Sequence, residues 1–85
     1  MPEWFDIFWD TEPGGAVDHI AEHGVTPEEC EQVLRVWFDD REPSRSTAER
    51  WIVQGETAAG RYLIVVFELV EEMSLVVPVT AYEPD

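Results

Sequence analysis

The sequence predicts an α+β fold in which two short helices pack on one antiparallel sheet. An aromatic run at 4–9 (WFDIFW) reads as an N-terminal strand. Two stretches with helical apolar spacing and their own start and stop signals follow it. Three apolar runs, 50–56, 61–70 and 74–82, then come in succession with short turns between them, the pattern of a three-strand antiparallel meander. At 85 residues the chain forms one domain, 1–85, with no room for a second core.

The first strand is stopped by Thr11-Glu12-Pro13-Gly14-Gly15. A short helix is expected at about 16–23, with Val17, Ile20 and Ala21 on one face and Asp18 and Glu22 elsewhere. Gly24 suits the position after its end, where positive φ is needed. Thr26-Pro27-Glu28-Glu29 then forms a capping box with proline at the first helical position. Val25 and Cys30 are placed for a hydrophobic staple, and Cys30, Val33, Leu34 and Trp37 form the apolar stripe. Residues 39–49 are polar apart from Pro43 and Ala48 and read as a long loop, a kind of segment that often carries function. The turn at Thr57-Ala58-Ala59-Gly60 makes strands 50–56 and 61–70 a hairpin. Residues 62–67 are apolar on both faces, so that strand is expected to be central and covered on each side. In the last strand Pro78 cannot donate to a ladder and marks an edge or a bulge.

The charge is lopsided. There are nineteen carboxylates, five arginines and no lysine, giving a formal net charge of −14 and a pI near 4.2. Every arginine lies between Arg35 and Arg61, so an anion site must use that segment or backbone amides. Such a surface repels phosphate backbones and anionic membranes and attracts basic partners. No stretch approaches the ~20 apolar residues of a membrane span. The acidic N-terminus lacks the basic region of a signal peptide. Cys30 is alone and cannot form an internal disulfide, which points to a reducing compartment and a cytoplasmic location.

Few residue groups suggest chemistry. His19 and His23 are spaced i, i+4 and could share a metal, yet HIAEH is not the HExxH arrangement, and a third ligand would have to come from Asp18, Glu22 or the fold. Helix-end histidines are the plainer reading. Acid pairs such as Asp6 and Asp10, or Glu71 and Glu72, are expected by chance in so acidic a chain. Cys30 lies on an apolar stripe, which blunts a thiol. Ser44, Ser46 and Ser74 have no triad context. Arg50 and Arg61 flank one hairpin and could lie close across it, where their planar forks would suit phosphate or carboxylate. Pairing with local acids is the competing account. No cofactor is implied.

The order of motifs resembles the BrnT family. The residues that carry the resemblance are Trp9-Asp10 ending a strand, His23-Gly24-Val25 closing a helix, the capped helix with Glu28 and Glu29, Glu49-Arg50 before a strand, Gly55-Glu56-Thr57, Gly60-Arg61 leading an apolar strand, and Val79-Thr80-Ala81 in the last one. It spans about Phe5 to Tyr82. The resemblance implies a RelE-like α+β fold, a ribonuclease toxin of a type II toxin–antitoxin system, an RNA-cleaving basic surface on the sheet, and an antitoxin that covers it. Carried over by position, Arg50 and Arg61 match family positions; a working catalytic site would use them with Tyr82 and with His19 or His23. This chain departs from the pattern. Glu22 stands where a basic residue usually precedes the His-Gly-Val, Tyr82 stands where the last strand usually ends in arginine, and Glu83-Pro84-Asp85 follows where a helix is expected.

Those departures, with the absence of lysine, make a divergent member with ribonuclease activity weak or lost the leading expectation. They favour a protein partner, antitoxin-like or a second copy, over RNA, and imply neither DNA nor membrane binding. An active endoribonuclease is the first alternative. A metal- or small-ligand-binding module using His19 and His23 is the second. Aromatics near Trp4, Trp9 or Trp51 could serve a homodimer face or simply the core. Thr26→Ala is expected to lower unfolding free energy by about 1 kcal/mol, read from a urea titration at pH 7.

Overall fold

The computed structural model describes residues 6–84. Its elements are β1 (Asp6–Ile7), α1 (Ala16–Glu22), α2 (Pro27–Trp37), a 3-10 turn at Phe38–Asp40, β2 (Glu42–Pro43), β3 (Arg50–Glu56), β4 (Tyr62–Val70), a second 3-10 turn at Glu71–Met73, and β5 (Leu75–Tyr82). The architecture is α+β, with both helices against one sheet of order β1-β5-β4-β3-β2. The β3–β4–β5 meander is antiparallel as expected. Two details differ. β1 pairs parallel to β5, through Asp6 opposite Leu75 and Ile7 opposite Val76, so the sheet is mixed. The polar 39–49 segment is not all loop, because Glu42–Pro43 pairs with Trp51–Ile52 and adds a fifth strand. Residues 4 and 5 of the expected first strand lie outside the described residues.

Both helices begin and end where local chemistry dictates. α1 closes in a Schellman arrangement. The Gly24 amide donates to Ala21 O at 2.9 Å and the Val25 amide to Ile20 O at 3.0 Å, with Gly24 at φ 71°. Two residues later the capping box of α2 is complete. Thr26 Oγ1 accepts from the Glu29 amide at 3.2 Å, and Glu29 Oε1 accepts from the Thr26 amide at 3.0 Å. α2 buries Cys30, Val33 and Leu34, with Trp37 partly buried at the end of the stripe. On α1 the buried positions are Ala16 and Ile20, whereas Ala21 is exposed. The buried face therefore differs from the expected one, with Val17 only partly buried, and the helix packs against β5.

The core lies between the helices and one face of the sheet. Leu63, Val65 and Phe67 of β4 are fully buried there, beside Val53, Val76 and Ala81. Phe38 packs its ring on Phe67 with centroids 5.7 Å apart. Complete burial of each such side chain contributes roughly 1.5–3 kcal/mol. β4 is the middle strand, as predicted, but only one of its faces is covered. Ile64 and Val66 point to the opposite side and are only partly buried. Pro78 sits at a bulge. Val66 pairs with Thr80 and Phe67 with Pro78, leaving Val79 as the extra residue, so the missing amide falls where the ladder is already interrupted.

Trp37 lies flat against Gly55 of β3, and a methyl group at Gly55 would overlap the indole ring. The indole Nε1 donates to Glu56 O at 3.4 Å, which holds the ring across the strand. Gly55→Ala therefore forces the Trp37 ring off β3 and is expected to destabilise the protein by about 1–3 kcal/mol in a urea titration, with altered tryptophan fluorescence.

Candidate functional site

Arg61 is the best-connected side chain among the described residues. It follows the β3–β4 turn, where Thr57 and Arg61 exchange hydrogen bonds and Gly60 takes φ 88°. Its Nη1 donates to Gly24 O at 2.8 Å and to both Glu29 oxygens at 3.0 and 3.2 Å. Its Nε donates to Glu83 Oε2 at 3.0 Å, and Nη2 reaches His23 O at 3.4 Å. The hydrogen bonds to Glu83 and then Glu29 raise its already high pKa. Glu29 is lowered from 4.5, chiefly by the Thr26 amide and, against some desolvation, by Arg61. His23 and Tyr82 lie beside this cluster, with ring centroids 5.9 Å apart and planes tilted by 53°.

Arg61, His23 and Tyr82 thus come together, and Arg50 does not join them. In the β3–β4 register Arg50 lies opposite Glu68, whereas Glu56 and Tyr62 close the other end. Six residues of strand separate the two arginines along the hairpin, about 20 Å. They do not lie close across the hairpin but sit at opposite ends of a regular two-stranded ladder. Arg50 instead donates from Nε to Glu68 Oε2 at 3.2 Å on the open face of the sheet.

The other arginines fall into two kinds. Arg35 pairs with Glu31 at 4.0 Å, and Arg41 stacks over Phe38 and Trp51, 4.3 and 5.1 Å from their ring centroids, while donating to Phe38 O. Arg45 has no hydrogen bond or ion pair among the described residues and lines a cleft of about 510 Å³. One wall of the cleft carries Asp40, Glu42 and Arg45, and its floor is Ile52, Gln54 and Tyr62 on the open sheet face. Tyr62 Oη donates to Gln54 Oε1 at 3.1 Å. In the sequence Arg45 reads as an ordinary loop charge, and the only local sign of order is the Ser44-Arg45-Ser46-Thr47 string. Ser44 Oγ accepts from the Ser46 and Thr47 amides at 3.3 Å and closes a tight turn around Arg45.

The remaining candidates stay apart. His19 and His23 are exposed, and among the described residues no three His, Cys, Asp or Glu side chains gather as a metal centre would require. Asp10 Oδ1 accepts from the Glu12 amide, and Glu71 and Glu72 are exposed in a 3-10 turn, so neither acid pair resembles a general acid–base couple. Burial, with Glu29 and Glu31 nearby, pushes the Cys30 thiol up to about 12, which removes it as a nucleophile. Trp9 and Trp51 pack against the core, and Trp9 Nε1 donates to Glu31 Oε2 at 2.9 Å. Among the described residues the exposed aromatics are Phe8 and Tyr62 instead, while Trp4 lies outside them.

Because the folded state holds Glu29 below 4.5, its carboxylate contributes stability that is complete above that value and is lost as pH falls through the folded value. Glu29→Gln is expected to flatten that part of the acid limb in a plot of unfolding free energy against pH. An acid limb identical to that of the parent protein would refute this role.

The chain matches no family model, no curated protein and no solved structure.

Proposed function

We propose that the protein is a divergent BrnT-like domain of the cytoplasm that acts by binding a protein, antitoxin-like or a second copy, with ribonuclease activity weak or lost. The observation that carries this reading is the engagement of Arg61. Its guanidinium is already occupied by Glu29, Glu83 and two backbone carbonyls, so a phosphate would have to displace two carboxylates to reach it. Arg50 is likewise paired with Glu68 and lies at the far end of the hairpin. A net charge of −14 adds long-range repulsion of any polyanion. The open sheet face, with Ile52, Ile64, Val66 and Val77 partly exposed around the Arg50–Glu68 pair, supplies an apolar surface suited to a protein partner.

One observation favours the active endoribonuclease as a second reading, namely the placement of His23 and Tyr82 beside Arg61. It would use His23 or Tyr82 for proton transfer and Arg61 for the phosphate.

The two readings separate in one set of measurements. The purified protein is expected to leave mixed-sequence RNA intact at low salt, and its expression is expected not to arrest growth. Cleavage by the parent protein that disappears in a folded Arg61→Ala variant would establish the endoribonuclease instead. Analytical ultracentrifugation, and co-purification with the product of a neighbouring gene, test the protein-binding role. Val66→Glu on the open face is expected to disrupt the complex, and a complex indifferent to that change would place the interface elsewhere.

A further inference from the structure

We infer that the cleft beside Arg45 is a binding site for a small zwitterionic amino-carboxylate, a free amino acid or dipeptide with an apolar side chain. At about 510 Å³ it falls within the size range of small-molecule sites. Its distinguishing property is unneutralised charge of both signs. Arg35, Arg50 and Arg61 each have a carboxylate partner, and Arg41 lies over two aromatic rings. Arg45 has no partner among the described residues, although Asp40 and Glu42 line the same cleft. Neither carboxylate makes an ion pair or hydrogen bond among the described residues. In a chain with nineteen carboxylates, opposite charges that share a cleft without pairing leave two separate electrostatic positions for a ligand to bridge.

Each part of such a ligand has a counterpart. The guanidinium fork of Arg45 suits a carboxylate. Asp40 and Glu42 suit an ammonium group and oppose a phosphate dianion, while Arg45 opposes a polycation. Ile52 is partly buried and the Tyr62 ring is exposed, which gives the apolar side chain a floor. The hydrogen bond from Tyr62 Oη fixes the Gln54 carboxamide oxygen and leaves its NH2 group without a partner among the described residues. The wall is held in place before any ligand arrives. β2 pairs with β3, the Ser44 amide donates to Arg50 O at 2.8 Å, Ser44 Oγ closes the turn around Arg45, and Arg41 anchors the segment on Phe38 and Trp51. Rigidity of this kind lowers the ordering cost of binding.

The test is titration of the isotope-labelled protein, followed by amide NMR shifts, with leucine, phenylalanine, alanyl-phenylalanine, phenylalanine amide, 3-phenylpropionate and inorganic phosphate. Saturable shifts centred on Arg45, Ile52, Gln54 and Tyr62 are expected with an amino acid or the dipeptide, and the tighter of these identifies the ligand's form. The amide, which lacks the carboxylate, and 3-phenylpropionate, which lacks the amine, are expected to bind about tenfold more weakly or worse. Arg45 is exposed and unpaired, so Arg45→Ala is expected to keep the parent's thermal melt and lose binding by a similar factor. Asp40→Asn with Glu42→Gln is expected to weaken the amino acid and leave 3-phenylpropionate unchanged. No saturable shift with any zwitterion up to about 10 mM would overturn the proposal. So would equal binding of the singly charged analogues or of phosphate, or binding indifferent to Arg45→Ala.

Discussion

Four parts of the fold are tied together at one guanidinium. Arg61 joins four places: the C-terminal end of α1 through Gly24 and His23, the first turn of α2 through Glu29, the start of β4 through its own backbone, and the segment after β5 through Glu83. The arrangement works because each partner is prepared independently. Positive φ at Gly24 turns its neighbourhood toward β4, the capping box fixes Glu29 on the amide of Thr26, and the Thr57–Gly60 turn delivers Arg61 to the meeting point. The ion pairs are partly exposed and individually modest. Their effect is positional, since they hold the end of α1 and the first turn of α2 against the start of β4.

This arrangement also accounts for the contrast between the two ends of the β3–β4 hairpin. At the Arg61 end the guanidinium is engaged by the protein itself. At the Arg50 end the sheet turns an uncovered face outward, with an ion pair set among partly exposed Ile52, Val66 and Val77. Chemistry that needs an available cation has little to use at the first end. Recognition that needs apolar area with a polar centre has what it needs at the second.

What was legible in the sequence is local. The capping box at Thr26, the turn glycine at 24, the hairpin around Thr57–Gly60 and the irregularity at Pro78 each follow from backbone preferences that a few neighbouring residues decide. What was not legible depends on partners far along the chain. A two-residue strand such as β1 has too few residues to declare its direction, and its parallel pairing follows from where α1 and α2 return the chain. Glu42–Pro43 has poor strand propensity and becomes β2 only because Trp51–Ile52 offers an edge. The uncovered second face of β4 contradicts its apolar sequence because two helices are enough for one face only. The candidate site was obscured for the same reason. Arg50 and Arg61 flank one turn in sequence yet lie at opposite ends of a ladder, and the cleft at Arg45 exists only once the 40–46 segment folds over β3.

The bulge at Val79 and the two short outer strands have a consequence for self-assembly. The run from Leu63 to Phe67 has the composition of a fibril-forming segment, being apolar, β-prone, uncharged and free of proline. The fold places it in the central strand, two strands from either border. Along one border Glu42–Pro43 covers only Trp51–Ile52, and the edge left beyond it is the four residues Val53–Glu56 of β3, with Gly55 among them. Along the other, Asp6–Ile7 covers the start of β5, and the bulge beyond Pro78 interrupts its remainder. Neither border is a long, flat template for a further strand, so ordered stacking of copies is opposed by the shape of the sheet itself. Its net negative charge opposes the same process from a distance, and acid would remove that second barrier while leaving the first in place.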